Sequence, residues 1–100
     1  MPLKLVMSWD VIPEQHRDYL EFLLQRFVPQ MEKLGFEVSD AWTTVYGNGP
    51  QVMVCSILPD ELEAERRMNL PAFKRLMENL NDYIEHFEMK LIPAGDGFQF

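Results

Sequence analysis

Two hydrophobic rhythms alternate along this chain, and their order predicts its architecture. Leu3, Leu5, Met7, Trp9 and Val11 alternate with Lys4, Val6, Ser8 and Asp10. A period of two marks a strand with one strongly apolar face. Ile12-Pro13 ends it, because a residue before proline is driven to extended geometry and proline suits a first helical turn. Glu14 sits favourably at that positive helix end. The period then lengthens: Leu20, Leu23, Leu24, Phe27, Val28, Met31 and Leu34 recur at three and four, the apolar stripe of a helix. Pro29 interrupts the stripe, and its missing N–H and its clash one turn back predict a kink or break near Gln25–Val28. Gly35 fits a left-handed stop.

Strand rhythm returns from Phe36 to Tyr46 and from Gln51 to Leu58, around Gly47-Asn48-Gly49-Pro50. Pro50 has no N–H to close a tight Asn-Gly turn, which favours a four-residue loop. Tyr46 would then face Gln51, Thr44 face Met53, Trp42 face Cys55 and Asp40 face Ile57. One face of the hairpin carries Trp42, Tyr46, Met53, Cys55 and Ile57; the other carries Ala41, Thr43, Val45, Val52, Val54 and Leu58. A one-residue bulge would scramble this assignment. Pro59 stops the strand, and Asp60-Glu-Leu-Glu63 resembles a capping box opening a short helix over Glu61–Met68. Glu63 and Arg67 are spaced for an i,i+4 pair. Asn69-Leu-Pro71 is a second break. Phe73, Leu76, Met77, Leu80 and Ile84 form another helical stripe. Phe87, Met89 and Leu91 then alternate against His86, Glu88 and Lys90 as a last strand, which Pro93-Ala-Gly-Asp-Gly97 ends. The Phe98-Gln-Phe100 tail is too apolar to hang free and is expected to pack, as a small strand on the partner subunit.

The resulting βαββαβ order predicts an α+β, ferredoxin-like fold: a four-stranded antiparallel sheet with helices on one face, a single domain over residues 1–100. The crossovers are right-handed by the usual rule. Both hairpin faces are largely apolar, and the helices can cover one of them. An apolar sheet face in water would be a large adhesive patch. Pairing it with its copy across a two-fold axis removes the patch. A homodimer through the sheet face is therefore expected, its two sheets closing into a dimeric α+β barrel.

Sixteen acids against nine bases leave a net charge of −7. That disfavours nucleic acid and anionic membrane as partners, both of which want a basic patch. No apolar run reaches the length of a membrane span, and the N-terminus carries no signal-peptide pattern. The single Cys55 excludes an internal disulfide framework and points to a reducing, cytoplasmic setting. There is no P-loop, dinucleotide fingerprint, HExxH or Cys-x-x-Cys, so no metal and no cofactor is expected.

The element order, the Gly35-Phe36 entry to strand two, and Trp42-Thr-Thr-Val-Tyr46-Gly47 followed by Pro50-Gln51 resemble the dimeric α+β barrel superfamily. Within it the chain is most similar to small NIPSNAP-like proteins, a likeness that Pro29 ahead of Gly35 shares. Antibiotic biosynthesis monooxygenase-like domains come next. The resemblance implies a ligand position between the sheet and the helices of each subunit. It also implies cofactor-independent monooxygenase chemistry as an alternative, in which a base deprotonates an electron-rich aromatic substrate that reacts directly with oxygen. Such enzymes often present an Asn, Trp and His set; here Trp42 or Trp9 with a histidine matches, and no strand asparagine does. A non-catalytic dimeric interaction module is the further alternative.

The candidate cleft residues are Trp42, Tyr46, His16 and Tyr19. Trp9, Trp42, Tyr19, Tyr46 and Tyr83 together could line an aromatic pocket for a small apolar or aromatic ligand, since Trp and Tyr present a ring with a polar tip. The plainer reading is that they fill the core or the dimer interface. His16 and His86, the only histidines, read as surface or helix-end residues, although either could in principle ligate haem. Cys55 reads as a core thiol. Asp10 and Asp40 stand in strand patterns where acids are depleted. Each is either a hydrogen-bonded strand position or, if buried, a general base with a raised pKa. Glu61, Glu63, Glu65, Arg66 and Arg67 read as a solvated helix face.

Overall fold

The alternating pattern of the first residues does form a strand. In a computed structural model, which describes residues 1–43 and 51–94, β1 spans Leu3–Val11. Ile12 is extended and Pro13 opens a 3-10 turn over Pro13–Gln15. The first crossover continues as α1 (His16–Phe22), a π-type turn (Leu23–Phe27) and α2 (Val28–Lys33). β2 (Glu37–Thr43) and β3 (Val52–Leu58) form the hairpin strands. The second crossover is α3 (Glu61–Met68) and α4 (Pro71–Leu80), followed by β4 (Ile84–Pro93). The sheet is antiparallel in the order β2-β3-β1-β4, the ferredoxin-like arrangement.

Both crossovers pack on one sheet face. Leu5, Met7, Trp9, Val54 and Leu58 meet Tyr19, Phe22, Phe27 and Met31 from the first crossover and Phe73, Leu76 and Leu80 from the second in one core. The other face is mixed. Trp42, Met53, Cys55 and Ile57 make an apolar strip along the hairpin, while Lys4, Ser8, Glu88 and Lys90 give polar side chains to the β1–β4 half.

Pro29 bends the helical pattern without breaking the helix. The N–H of Val28 bonds to the carbonyl of Leu23, five residues back, so the turn before the proline widens. The extra residue rotates everything upstream by about 100° relative to a regular helix. Uniform spacing predicts that Leu20 and Leu24 face inward. Instead Tyr19 and Phe22 are buried, while Leu20 and Leu24 are 43% and 69% exposed. Phe22 and Phe27 both reach the core across the widened turn.

Helix ends follow their local signals. Gly35 takes φ +89; its N–H bonds to Glu32 O and that of Phe36 to Met31 O, which closes α2 as a Schellman motif. Asp60 caps α3 by accepting the Glu63 N–H at 2.8 Å. Glu63 pairs with Arg67 at 2.9 Å and with Arg66 at 2.8 Å, and the two guanidinium groups draw its carboxyl down to about 2. Arg67 is more than a solvated charge. Its guanidinium also donates to the carbonyl of Gly35, tying the second crossover to the end of the first.

Three expectations are corrected. The hairpin register is displaced by two residues: Trp42 faces Met53 rather than Cys55, and Asp40 faces Cys55 rather than Ile57. Gln51 bonds to β1, its N–H donating to the Asp10 carboxylate, and the described ladder runs to Thr43 opposite Val52. A two-residue displacement keeps every described side chain on its predicted face, as an odd one would not. A bulge between Val38 and Asp40 then turns Val38 toward the core. Second, Ile84 opens β4 instead of extending the α4 stripe, because the helix ends at Leu80. Third, the alternation of Phe87, Met89 and Leu91 against Glu88 and Lys90 holds but does not extend back to the start of β4, which bulges opposite β1 between Ser8 and Asp10, with His86 at φ 58. The loop Gly47–Pro50 and the Phe98–Phe100 tail lie outside the described residues.

Candidate functional site

The end of β1 organises one corner of the molecule. Alternation sends Trp9 and Val11 toward the helices and Asp10 to the other face. Trp9 is fully buried, edge-on to Phe27 with centroids 6.0 Å apart and stacked on Phe87 at 6.2 Å. The Ser8–Glu88 pairing sets Phe87 beside it, next to the β4 bulge. The indole Nε1–H donates to the hydroxyl of Tyr19 at 3.2 Å, and Tyr19 is itself only 3% exposed. That burial raises the Tyr19 pKa, so the phenol keeps its proton.

Asp10 holds two partners. Oδ1 accepts the Gln51 N–H at 2.8 Å, and Oδ2 lies 2.9 Å from His86 Nδ1. The Gln51 hydrogen bond and then His86 hold the Asp10 carboxyl below its ordinary value. This overturns the reading of Asp10 as a general base with a raised pKa. Its hydrogen bond in turn raises His86, with Glu85 adding to the effect. Gln51 closes the corner: its Oε1 accepts the Val11 N–H at 2.9 Å.

Between this corner and α1 lies a cleft of about 370 Å³, within the ~300–1,000 Å³ range of small-molecule sites. His16, Tyr19 and Leu20 of α1, with Leu23 behind them, form the helical wall. Ala41, Thr43, Val52 and Val54 form the sheet wall, and Val11 and Gln51 close the end. The π-type turn sets this wall, since it fixes which side of α1 faces the sheet. A broader hollow of about 540 Å³ lies at Met1, Leu3 and the start of α3, but three carboxylates (Asp60, Glu61 and Glu65) rim it.

Of the residues singled out from sequence, His16, Tyr19 and Trp42 all border the cleft, and Tyr46 lies outside the described residues. Alternation places the Trp42 ring on the opposite face from Ala41 and Thr43, so Trp42 reaches the cleft at the hairpin edge, 38% exposed. Tyr83 is elsewhere, stacked on Phe22 at 5.0 Å. Cys55 is fully buried, and burial pushes its thiol pKa up, as suits a packing role. Asp40 is exposed and pairs with Lys4 at 3.5 Å. Among the described residues no group of three or more His, Cys, Asp or Glu could hold a metal ion, and no helix is long and apolar enough to cross a membrane. Sequence reasoning missed Gln51 and the Trp9–Tyr19 bond. The available signal was Asp10, an acid in a strand pattern.

Solved structures share this architecture. A NIPSNAP family protein from Agrobacterium tumefaciens superposes with a TM-score of 0.75 at 15% identity, over 97% of this chain and 96% of that one. The fold is that of the NIPSNAP-like proteins. A NIPSNAP-like domain protein from Burkholderia xenovorans matches with a TM-score of 0.73 at 13% identity, over 98% and 89%. An oxygenase shares the fold as well. SnoaB, a cofactor-independent oxygenase from Streptomyces nogalater, matches with a TM-score of 0.70 at 12% identity, over 97% and 96%. No family model and no curated protein matches the sequence.

Proposed function

We propose that this NIPSNAP-like chain binds a small apolar or aromatic molecule in the cleft between α1 and the hairpin. The observation that carries the reading is the cleft lining. Among the described residues, none that lines it is Lys, Arg, Asp or Glu, although the chain holds sixteen acids and nine bases. Uncharged walls with a few fixed polar groups are the pattern of a small-molecule site. Thermal melting and tryptophan fluorescence against aromatic acids, quinones and fatty acids test it. A bound molecule raises the melting temperature by mass action, by about 2.7 kcal/mol of stability at a hundredfold excess over Kd. A flat response across the panel overturns the reading in favour of a non-catalytic interaction module.

Two copies are proposed to pair through the open sheet face, supported by the apolar strip of Met53, Cys55, Ile57 and Trp42, in which Ile57 and Trp42 are more than a third exposed. Light scattering at low micromolar concentration is expected to give twice the chain mass; a monomer sinks the pairing. The likeness to a cofactor-independent oxygenase favours a second reading, direct oxygenation of an electron-rich aromatic held in the same cleft. Oxygen uptake with phenolic and quinol substrates tests it, and no uptake with any of them removes it.

A further inference from the structure

The polar groups lining the cleft are not neutral as to what they accept. Indole Nε1 is a donor only, so in the Trp9–Tyr19 contact at 3.2 Å the phenolic oxygen is the acceptor. Tyr19 is left with its own O–H to offer, and among the described residues no acceptor takes it. Tyr19 is nevertheless almost wholly buried. A buried donor without a partner costs about 1–3 kcal/mol, which a bound acceptor would recover. Gln51 is oriented in the same sense. The Val11 N–H can pair only with an acceptor, so the amide oxygen must be the end facing β1. The amide NH₂ therefore points away from β1, and it too has no acceptor among the described residues. Asp10 holds the Gln51 main chain at 2.8 Å, so the residue is fixed by both its backbone and its side chain. His16 and Thr43, which can donate or accept, stand at the exposed rim.

We infer that the cleft selects an uncharged apolar molecule bearing an acceptor oxygen, of the aryl ketone or aldehyde class, received by the Tyr19 hydroxyl and the Gln51 amide, with Asp10 as the residue that positions Gln51. This rests on the cleft being a ligand site, as proposed above. A carboxylate is disfavoured because, among the described residues, no Lys or Arg lines the cleft to pair with it. A hydrocarbon of the same shape fits but leaves both donors unpaired.

Three probes of nearly equal shape separate these cases on the full chain: 2-acetylnaphthalene, 2-isopropenylnaphthalene, in which C=CH₂ replaces C=O, and 2-naphthoate. Calorimetry or tryptophan quenching reads the affinities. The ketone is expected to bind about tenfold more tightly than the alkene, the worth of one to two net hydrogen bonds, and more tightly than the carboxylate. Gln51→Leu and Tyr19→Phe are each expected to shrink the ketone's advantage while leaving alkene affinity nearly unchanged. Gln51→Leu is the safer variant, since Tyr19→Phe also strips Trp9 of its partner. Equal affinities for ketone and alkene, or a preference for the carboxylate, overturn the donor inference while leaving the cleft as a ligand site. Binding of none of the three overturns the cleft reading and the inference with it.

Discussion

Each of the two crossovers has a proline part-way along its helical run, Pro29 in the first and Pro71 in the second, and the chain absorbs them in different ways. At Pro71 the preceding Leu70 is extended, at φ −64 and ψ 134, the geometry a residue before proline prefers. One helix stops and another starts, with the proline in its first turn. At Pro29 the preceding Val28 stays helical, at φ −62 and ψ −49. The cost moves upstream, where the turn widens to an i→i+5 bond, and the helix continues. Phe27 and Met31 flank Pro29 and are both buried to within 1%, so a break there would pull one of them out of the core. Around Pro71 the inward residues Phe73, Leu76 and Leu80 keep plain helical spacing inside α4, and a break before them loses nothing. The lesson is that a proline's outcome depends on what must be buried on both sides of it. The regular crossover borders a hollow rimmed by carboxylates; the irregular one presents the wall of an uncharged cleft.

The sharpest test of this contrast is Trp9→Ala. Trp9 anchors the irregular crossover through Tyr19, Phe27 and Phe87, and its truncation is expected to cost about 3–5 kcal/mol in urea unfolding. A loss below about 1 kcal/mol would mean that the corner is not held through this ring. Next in size is Gly35→Ala, where the two crossovers meet. The position has φ +89, and a Cβ there would stand 3.0 Å from the Arg67 guanidinium. A loss of about 1–3 kcal/mol is expected. Arg67→Ala should be less than additive with it, because both changes disturb one contact.

Capping separates the crossovers again. Asp60→Ala removes the α3 cap and should cost about 1 kcal/mol. Gln15 makes no capping bond at the start of α1, and Gln15→Ala should stay within about 0.5 kcal/mol. Equal losses would erase the distinction. The π-type turn itself can be removed by deleting exposed Gln25 together with Pro29→Ala. Phe22 and Phe27 then stand four apart, the spacing of a regular helix, and stability should change by about 1 kcal/mol or less. Loss of a cooperative melting transition in this variant would show that the wide turn has a structural role beyond phase.

The smallest effect is a titration. His86 should titrate above 6.5 in an NMR pH series because Asp10 stabilises the imidazolium. A raised folded-state value means that the contribution to stability is present below about 6.5 and is lost as pH rises through that higher value. Asp10→Asn should return His86 toward its ordinary value. An unmoved titration would deny the Asp10–His86 link.

Much of the fold was legible because its signals are short-range. The limits of β1, the glycine stop at Gly35, the Asp60 cap and the restart at Pro71 all rest on residues a few positions apart. The facing of the hairpin residues survived a wrong register, since alternation has period two. The phase of α1 was misread, with Leu20 and Leu24 taken as inward, because a uniform helical period cannot anticipate a single inserted residue. For the site, His16 and Tyr19 were named from their chemistry. Gln51 and His86 gained their meaning from Asp10, respectively 41 and 76 residues away, a pairing no local pattern encodes.

Residue order alone specified which segments became helix or strand, and in what sequence, because capping, proline geometry and alternating polarity act within a few bonds. Only the packed structure decided the rotation of α1, the pairing of Trp42 with Met53 and the opening of the cleft. Each of these depends on side chains distant in sequence competing for one interior, and the burial of Tyr19, Phe22 and Phe27 together outweighs the preference of any one turn for regular geometry.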